Sequence, residues 1–288
     1  MVATIEYIEQ TIATYRQAAG ANQRTNGREG NVVNITTELA DDVMITADIH
    51  GHRRNFNAIK RIADLDHNPR RHLILQEVCH GGPTYPSNGG CMSHAVLEDV
   101  AALKVKYPQR VHFLLSNHEL AELTDYPILK SKRMLNLLFR LGMQDMYGAA
   151  TEKVRDAYLP FLRSCPLAVR LPGKVFVCHS LPEKVDSGGF DAGIFQRTLD
   201  VLDLKEHGDV FDLVWGRDYR PENAQAFAKL VDAQVLIHGH EPCPAGFQVP
   251  NALQIILDCC AENASYVILP THEPLDHAAI VKQIRKLG

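Results

Sequence analysis

Five short, mostly apolar runs each stop at a group of carboxylate, amide or imidazole side chains. VMITA at 43–47 is followed by Asp48-Ile49-His50-Gly51-His52, and HLIL at 72–75 by Gln76-Glu77 and then His80-Gly81-Gly82-Pro83. VHFLL at 111–115 is followed by Ser116-Asn117-His118-Glu119, KVFVC at 174–178 by His179, and QVLI at 234–237 by His238-Gly239-His240. Short runs rich in Val, Ile and Leu read as strands buried on both faces. In open α/β sheets, ligand sites form at the carboxyl ends of parallel strands. If these strands are parallel neighbours, the five loops converge.

The gaps between the runs carry helical spacing at 55–65, 93–106, 128–141, 151–163, 191–204, 222–232 and 276–287, and Leu253–Leu257 adds a further strand. Alternating strand and helix predicts an α/β layered fold around a central sheet. Residues 3–19 read as an amphipathic helix with Ile5, Ile8, Ile12 and Tyr15 on one face. The polar, glycine-rich stretch 20–31 reads as a loop or hinge, and 83–90 as the clearest long loop. The simplest parsing is an N-terminal helical extension over 1–40 and one domain over 41–288. The sequence leaves open whether the first helix packs on the body or mediates dimerisation.

Composition narrows the class. The chain has 288 residues, 45% hydrophobic and 22% charged, enough for a sizeable core without disulfide or metal staples. A net charge of −4 argues against a dedicated nucleic-acid binder, which needs an excess of Lys and Arg for phosphate contacts. No apolar run approaches the ~20 residues of a membrane helix, and the start, MVATIEYIEQ, lacks signal-peptide features. A cytoplasmic protein with no membrane partner is expected. Seven cysteines without a CxxC pair fit reduced thiols.

Asp, Glu, His and Asn together suit Zn, Mn or Fe, often in pairs. Two cations ~3.5–4 Å apart clamp a phosphoryl group and lower the pKa of a bound water toward ~7, so hydroxide attacks and no protein nucleophile is needed. Taken singly, each motif has a plainer reading. Asn117 reads as a helix N-cap with Glu119 two positions on, and a lone His after a strand is usually a satisfied polar group. Their order and shared strand-end location favour a metal site. His67, His72, His94, His112, His207, His272 and His277 have no motif context and read as surface or structural. Cys259-Cys260 read as buried small apolar residues, Trp215 as a core or pocket-wall aromatic, and the 130–133 run KSKR as a solvated face opening a helix.

The ordered set ADIHG, QEVCHGGP, SNHE, CHSLP and HGH resembles the calcineurin-like metallophosphoesterase superfamily, whose motifs are GDxHG, GDxVDRG, GNHE, an HGG-like turn and a final GH. It is most similar to the phosphoprotein-phosphatase group, including bacterial and diadenosine-tetraphosphatase-like members. The passages at 150–182 and LVWGRD at 213–218 share the likeness, which spans about residues 42–262. The resemblance implies a two-sheet β-sandwich flanked by helices. It also implies phosphate-ester hydrolysis by a hydroxide activated on two divalent metals (Mn, Fe or Zn), with a phosphoprotein or small phosphoester as substrate. Asp48 and His50 would hold the first metal, Glu77 would bridge, and Asn117, His179 and His240 would complete the second. His118 would contact phosphate or protonate the leaving oxygen.

The second motif departs from the pattern. Glu77 stands at the bridging Asp, His80 replaces the second Asp, which normally orients the catalytic His, and Gly81 replaces a phosphate-gripping Arg. A second register would put Gln76 at the bridge. Glu77 is preferred, because a neutral amide cannot offset two dications. Arg217, Arg220 or Arg53 would substitute for the missing Arg, and His52 and His238 are extra imidazoles placed to bind substrate. The alternative functions are a dinucleotide polyphosphate hydrolase, or a non-catalytic regulatory protein on a degenerate phosphatase scaffold.

Overall fold

Two facing sheets, rather than one, take up the apolar runs. The computed structural model describes residues 2–288. Its strands in chain order are β1 (Arg28–Glu29), β2 (Val32–Asn34), β3 (Asp42–Asp48), β4 (Arg71–Gln76), β5 (Val111–Phe113), β6 (Leu129–Lys130) and β7 (Arg133–Met134). There follow β8 (Ala168–Leu171), β9 (Val175–Cys178), β10 (Val235–His238), β11 (Phe247–Gln248), β12 (Gln254–Leu257), β13 (Ser265–Pro270) and β14 (Arg285–Lys286). The helices are α1 (Ile5–Gln23), α2 (Arg53–Ala63), α3 (His94–Lys106), α4 (Asn117–Thr124) and α5 (Leu135–Tyr147). The remainder are α6 (Thr151–Arg163), α7 (Asp209–Trp215), α8 (Pro221–Leu230) and α9 (His277–Gln283).

The smaller sheet runs β14-β13-β3-β4-β5 and the larger β1-β2-β8-β9-β10-β12-β11. Within them β3, β4 and β5 are mutually parallel, as are β9, β10 and β12. One apolar cluster fills the space between the sheets. Val43, Ile45, Ala47, Ile74 and Val267 enter it from the smaller sheet, and Val169, Val175, Val177, Val235, Ile237, Ile255 and Leu257 from the larger. The alternate residues Met44, Leu73, Leu75, Phe176 and Leu236 pack in a second cluster with the helices. The central strands β3, β4, β5, β9, β10 and β12 thus bury both faces, as the near-continuous Val/Ile/Leu runs require. The two-sheet sandwich flanked by helices is the fold that the resemblance implies.

Helix α1 is capped by the Thr4 hydroxyl, which accepts from the Tyr7 amide. It lies on the body. Tyr15 is buried, its ring 6.0 Å from both Tyr158 and Phe161. The Glu98 carboxylate accepts from Tyr7 Oη, Tyr147 Oη and His94 Nδ1, tying α1 to α3 and α5. Ile5, expected on the apolar face, is exposed instead. In the stretch expected to be a loop, residues 28–29 pair with 32–33, and β2 continues the larger sheet through β8.

Three expected helices differ. Of 276–287, only His277–Gln283 is helical before the chain enters β14. Residues 191–204 form only a 3₁₀ turn at Ala192–Phe195. Asp200 Oδ1 accepts from the Leu202 amide and Asp203 Oδ2 from the Asp200 amide, and such local side-chain bonds compete with helix. KSKR does not open a helix but forms the turn of the β6–β7 hairpin, with Ser131 and Lys132 at φ of 51° and 63°. Among the described residues no helix is long and apolar enough to cross a membrane.

Candidate metal centre

The strand ends deliver their polar residues to one place because the parallel strands of both sheets stop at the same end of the sandwich. Asp48 closes β3, Glu77 follows β4, and Asn117 and His118 open α4 just past β5. From the opposite sheet, His179 follows β9 and His240 follows β10 by two residues. An isolated bridge between Asp48 and Asp258 joins the two sheets there. Ser116, not Asn117, is the N-cap of α4, so Asn117 turns its amide into the site.

Glu77 lies at the junction. Ligand atoms of His50, Glu77 and His118 lie within 4.8 Å of one another, and so do those of Glu77, His179 and His240. The Glu77 carboxylate is 3.4 Å from His118 Nε2, 3.4 Å from His179 Nε2 and 3.9 Å from His50 Nε2. These separations exceed the ~2.9 Å of a direct N–H···O bond. Asn117 Oδ1 is 2.8 Å from His179 Nε2 and 3.1 Å from His240 Nδ1. Asp48 Oδ1 accepts from the His240 amide at 2.9 Å and lies 3.9 Å from His179 Nδ1.

Of the two registers that the sequence left open, the structure turns Glu77 toward the cluster. The Gln76 side chain is occupied elsewhere: its amide nitrogen donates to Thr46 O at 3.0 Å. Gln76 Oε1 accepts from His179 Nδ1 at 3.2 Å, which leaves the His179 Nε2 lone pair aimed at Glu77 and Asn117.

The electrostatics fit cations. Burial pushes the carboxyl pKa values of Asp48 and Glu77 upward, and the proximity of Asp48 raises Glu77 further. Burial also holds His50 down to about 4 and His240 down to about 3. Two enclosed carboxylates amid neutral imidazoles are costly unless positive charge enters between them. Neutral imidazole, carboxylate and amide oxygen are the donors that Mn, Fe or Zn accept.

The backbone is bent to make this geometry. His50, Glu77, His80 and His240 all have positive φ, from 39° to 69°. A left-handed non-glycine residue costs about 1–2 kcal/mol, and such strain collects at functional sites. At Gly239 a Cβ would sit 2.2 Å from Asp48 Oδ1, so only glycine lets the turn close on the carboxylate. At Gly81 (φ +153°) a Cβ would sit 2.6 Å from His50 O, so no arginine side chain fits there without moving the His50 turn.

The remaining sequence-selected residues divide. His80 is buried, with Nδ1 3.2 Å from His118 Nδ1 and Nε2 2.7 Å from Glu122 Oε1. Arg217 pairs with Glu241, and its positive field reaches Glu77, His179 and His240. The other four are not brought to the cluster as substrate contacts. Arg53 is held by Asp99, and Arg220 by Asp186 and Asp218. His52 is exposed at the start of α2, with no side-chain cap bond. His238 is fully buried with Nδ1 against Cys178, because it shares the helix-facing side of β10 with Leu236. Trp215 is a wall: half-buried, stacked on Phe211 at 5.5 Å and edge-on to His240 at 6.3 Å.

Sequence reasoning missed three supporting groups. Glu119 Oε1 accepts from the Val78 and Cys79 amides at 2.9 and 2.8 Å and fixes the turn that carries Glu77. Asp258 accepts from the Cys243 and Cys260 amides beside Asp48. Glu122 backs His80. Its only sequence signal was its place four residues after His118, on the same helix face.

A family model for the calcineurin-like phosphoesterase matches residues 42–244. No curated protein matches the sequence significantly. Among solved structures, a protein serine/threonine phosphatase from Saccharomyces cerevisiae with similarity to human phosphatase PP5 aligns with a TM-score of 0.71 at 12% identity, covering 96% of this chain and 88% of that one. The cold-active protein-tyrosine phosphatase of a psychrophilic Shewanella species aligns at 0.58 with 11% identity, covering 90% and 82%. At such identities the likeness is one of fold. The family match is a sequence match, and it contains Asp48, Glu77, Asn117, His179 and His240 in order. By that match the chain belongs to the calcineurin-like phosphoesterase family, hydrolases that act on phosphate esters.

Proposed function

We propose that the chain is a phosphomonoesterase of the phosphoprotein-phosphatase kind, working with two divalent transition cations. Asp48, His50 and Glu77 would hold one cation, and Glu77, Asn117, His179 and His240 the other. When bound, the pair would supply an acidified water and neutralise charge on the phosphoryl oxygens. The observation that carries this reading is Glu77, a single buried carboxylate shared by two groups of possible ligands, one with His50 and His118 and one with His179 and His240. The roles of Asp48 as a ligand and of His118 as an acid rest on the family resemblance.

The chain's own groups supply the rest. Gln76 and Glu119 orient His179 and the Glu77 turn. His118 presents Nε2 beside Glu77, where, once that nitrogen has taken up a proton, it would pass the proton to the leaving oxygen. Arg217 supplies positive charge for the phosphoryl group, the charge that Gly81 does not. Arg217 is also paired, with Glu241, but its field reaches the cluster, whereas Arg53 and Arg220 are held by carboxylates away from it. One cationic side chain at the site favours a single phosphate over a polyphosphate chain as substrate.

The test is hydrolysis of p-nitrophenyl phosphate by purified protein with Mn. Asp48→Ala and His240→Ala are each expected to lower kcat at least about a hundredfold, and unchanged activity in both overturns the assignment. Turnover of a phosphopeptide but not of diadenosine tetraphosphate supports the phosphoprotein reading, and the reverse overturns it.

A further inference from the structure

A buried chain of hydrogen bonds leads away from His118. Its Nδ1 lies 3.2 Å from His80 Nδ1, His80 Nε2 lies 2.7 Å from Glu122 Oε1, and Tyr158 Oη donates to Glu122 Oε2 at 2.9 Å. The His80 and Glu122 side chains are 0% and 2% exposed. His80 is held independently: its amide donates to Ser93 Oγ at 3.0 Å, and Phe139 meets its ring edge-on at 5.5 Å.

The proton positions along this chain follow from Glu122. An ionised carboxylate only accepts, so His80 Nε2 carries the hydrogen that it donates. A neutral His80 then has a bare Nδ1. With His80 in that neutral form, the contact between the two Nδ1 atoms is a hydrogen bond only if His118 Nδ1 is protonated and donates. That assignment leaves His118 Nε2 facing Glu77 Oε1, 3.4 Å away, free to carry or release a proton at the site. Flipping the His118 ring would break the bond to His80.

We propose that Glu122 is a positioning residue: through His80 it fixes the tautomer and orientation in which His118 offers Nε2 to the leaving oxygen. The link to catalysis rests on the phosphomonoesterase reading above, whereas the control of the tautomer does not.

Two readouts test it. In ring-nitrogen NMR of the protein without added metal, His118 is expected to be protonated at Nδ1. Glu122→Met, which keeps the volume but removes the acceptor, is expected to give a mixture of tautomers. Glu122→Asp, which withdraws the carboxylate by one methylene, is the second variant should Glu122→Met not fold, and the same change is expected. An unaltered His118 tautomer in the folded variant overturns the proposal, whatever the activity.

With Mn present, a misaligned proton donor matters most for a poor leaving group. Glu122→Met is expected to lower kcat on phenyl phosphate about tenfold more than on p-nitrophenyl phosphate, with KM little changed. His80→Asp supplies the rescue. An Asp Oδ occupies the place of His Nδ1 on Cγ, so it accepts from His118 without Glu122. Glu122→Met is therefore expected to cost little in the His80→Asp background. Equal losses on both substrates, or no rescue, mark Glu122 as merely structural and overturn the proposal. A wild-type protein without turnover would sink the phosphomonoesterase reading while leaving the NMR result to decide the control of the tautomer.

Discussion

Gly239 shows how sharply single residues are constrained at this site. Its missing side chain lets Asp48 Oδ1 reach the His240 amide, and a methyl group there would lie 2.2 Å from that oxygen. Gly239→Ala is therefore expected to displace Asp48 and His240 together. Phosphatase activity with Mn should fall more than tenfold, while denaturant unfolding should register a loss of about 1–3 kcal/mol. Wild-type activity in that variant would show that the turn has room to shift. At this scale the sequence was readable where a residue type announces its chemistry. Asp48, Asn117, His179 and His240 stood out as strand-end donors, and the structure gathers them. The salt bridges of Arg53 and Arg220 and the buried strand face of His238 were not legible, because charge and imidazole in a sequence do not reveal a salt-bridge partner or a strand face. Glu122 was hidden because its partner, His80, is 42 positions away in the chain.

At the scale of elements, hydrophobic period and length located β3, β4, β9, β10 and β12 to within a residue or two, and α3, α6 and α8 nearly as well. Failures came where polar side chains decide the local fold, as with the Asp200 and Asp203 turns and the β6–β7 hairpin. The pairing of β4 with β5 carries a further consequence, because it buries two imidazoles in contact. His72 Nε2 donates to Leu39 O at 3.2 Å, so its Nδ1 accepts from His112 Nε2 at 2.9 Å. His112 Nδ1 is left without a partner. Burial lowers His72 to about 4 and holds His112 far below its ordinary value. A base whose folded pKa is depressed binds fewer protons folded than unfolded, so stability is lost as pH falls from about 6.5 toward 4. Against His72→Gln, the wild type is expected to lose roughly 2–3 kcal/mol over that window, read from urea midpoints at several pH values. Parallel pH profiles for the two proteins would remove His72 as the cause.

At the scale of the molecule, the α/β character was legible in the alternation of patterns. The split into two sheets was not, because buried strands read alike whichever sheet they join; it entered through the motif resemblance. The split decides where the site lies: β3, β4 and β5 bring Asp48, Glu77 and Asn117, and β9 and β10 bring His179 and His240. A cation held between the sets, by Glu77 and Asn117 from one sheet and His179 and His240 from the other, would stabilise the folded chain by mass action. Adding Mn is expected to raise the melting temperature in a concentration-dependent way, and a chelator to reverse it. Asp48→Ala should blunt the response, and a response intact in that variant would place the cation elsewhere.

The Asp48–Asp258 bridge therefore marks a seam. Each ladder of backbone bonds can hold its own strands, yet the proposed second cation would need Glu77 and Asn117 from one layer and His179 and His240 from the other, so that half of the centre would report on the alignment of the two layers. A bound ion pair would act as a rivet through that seam, and small slippage between the layers would silence the enzyme long before it unfolded.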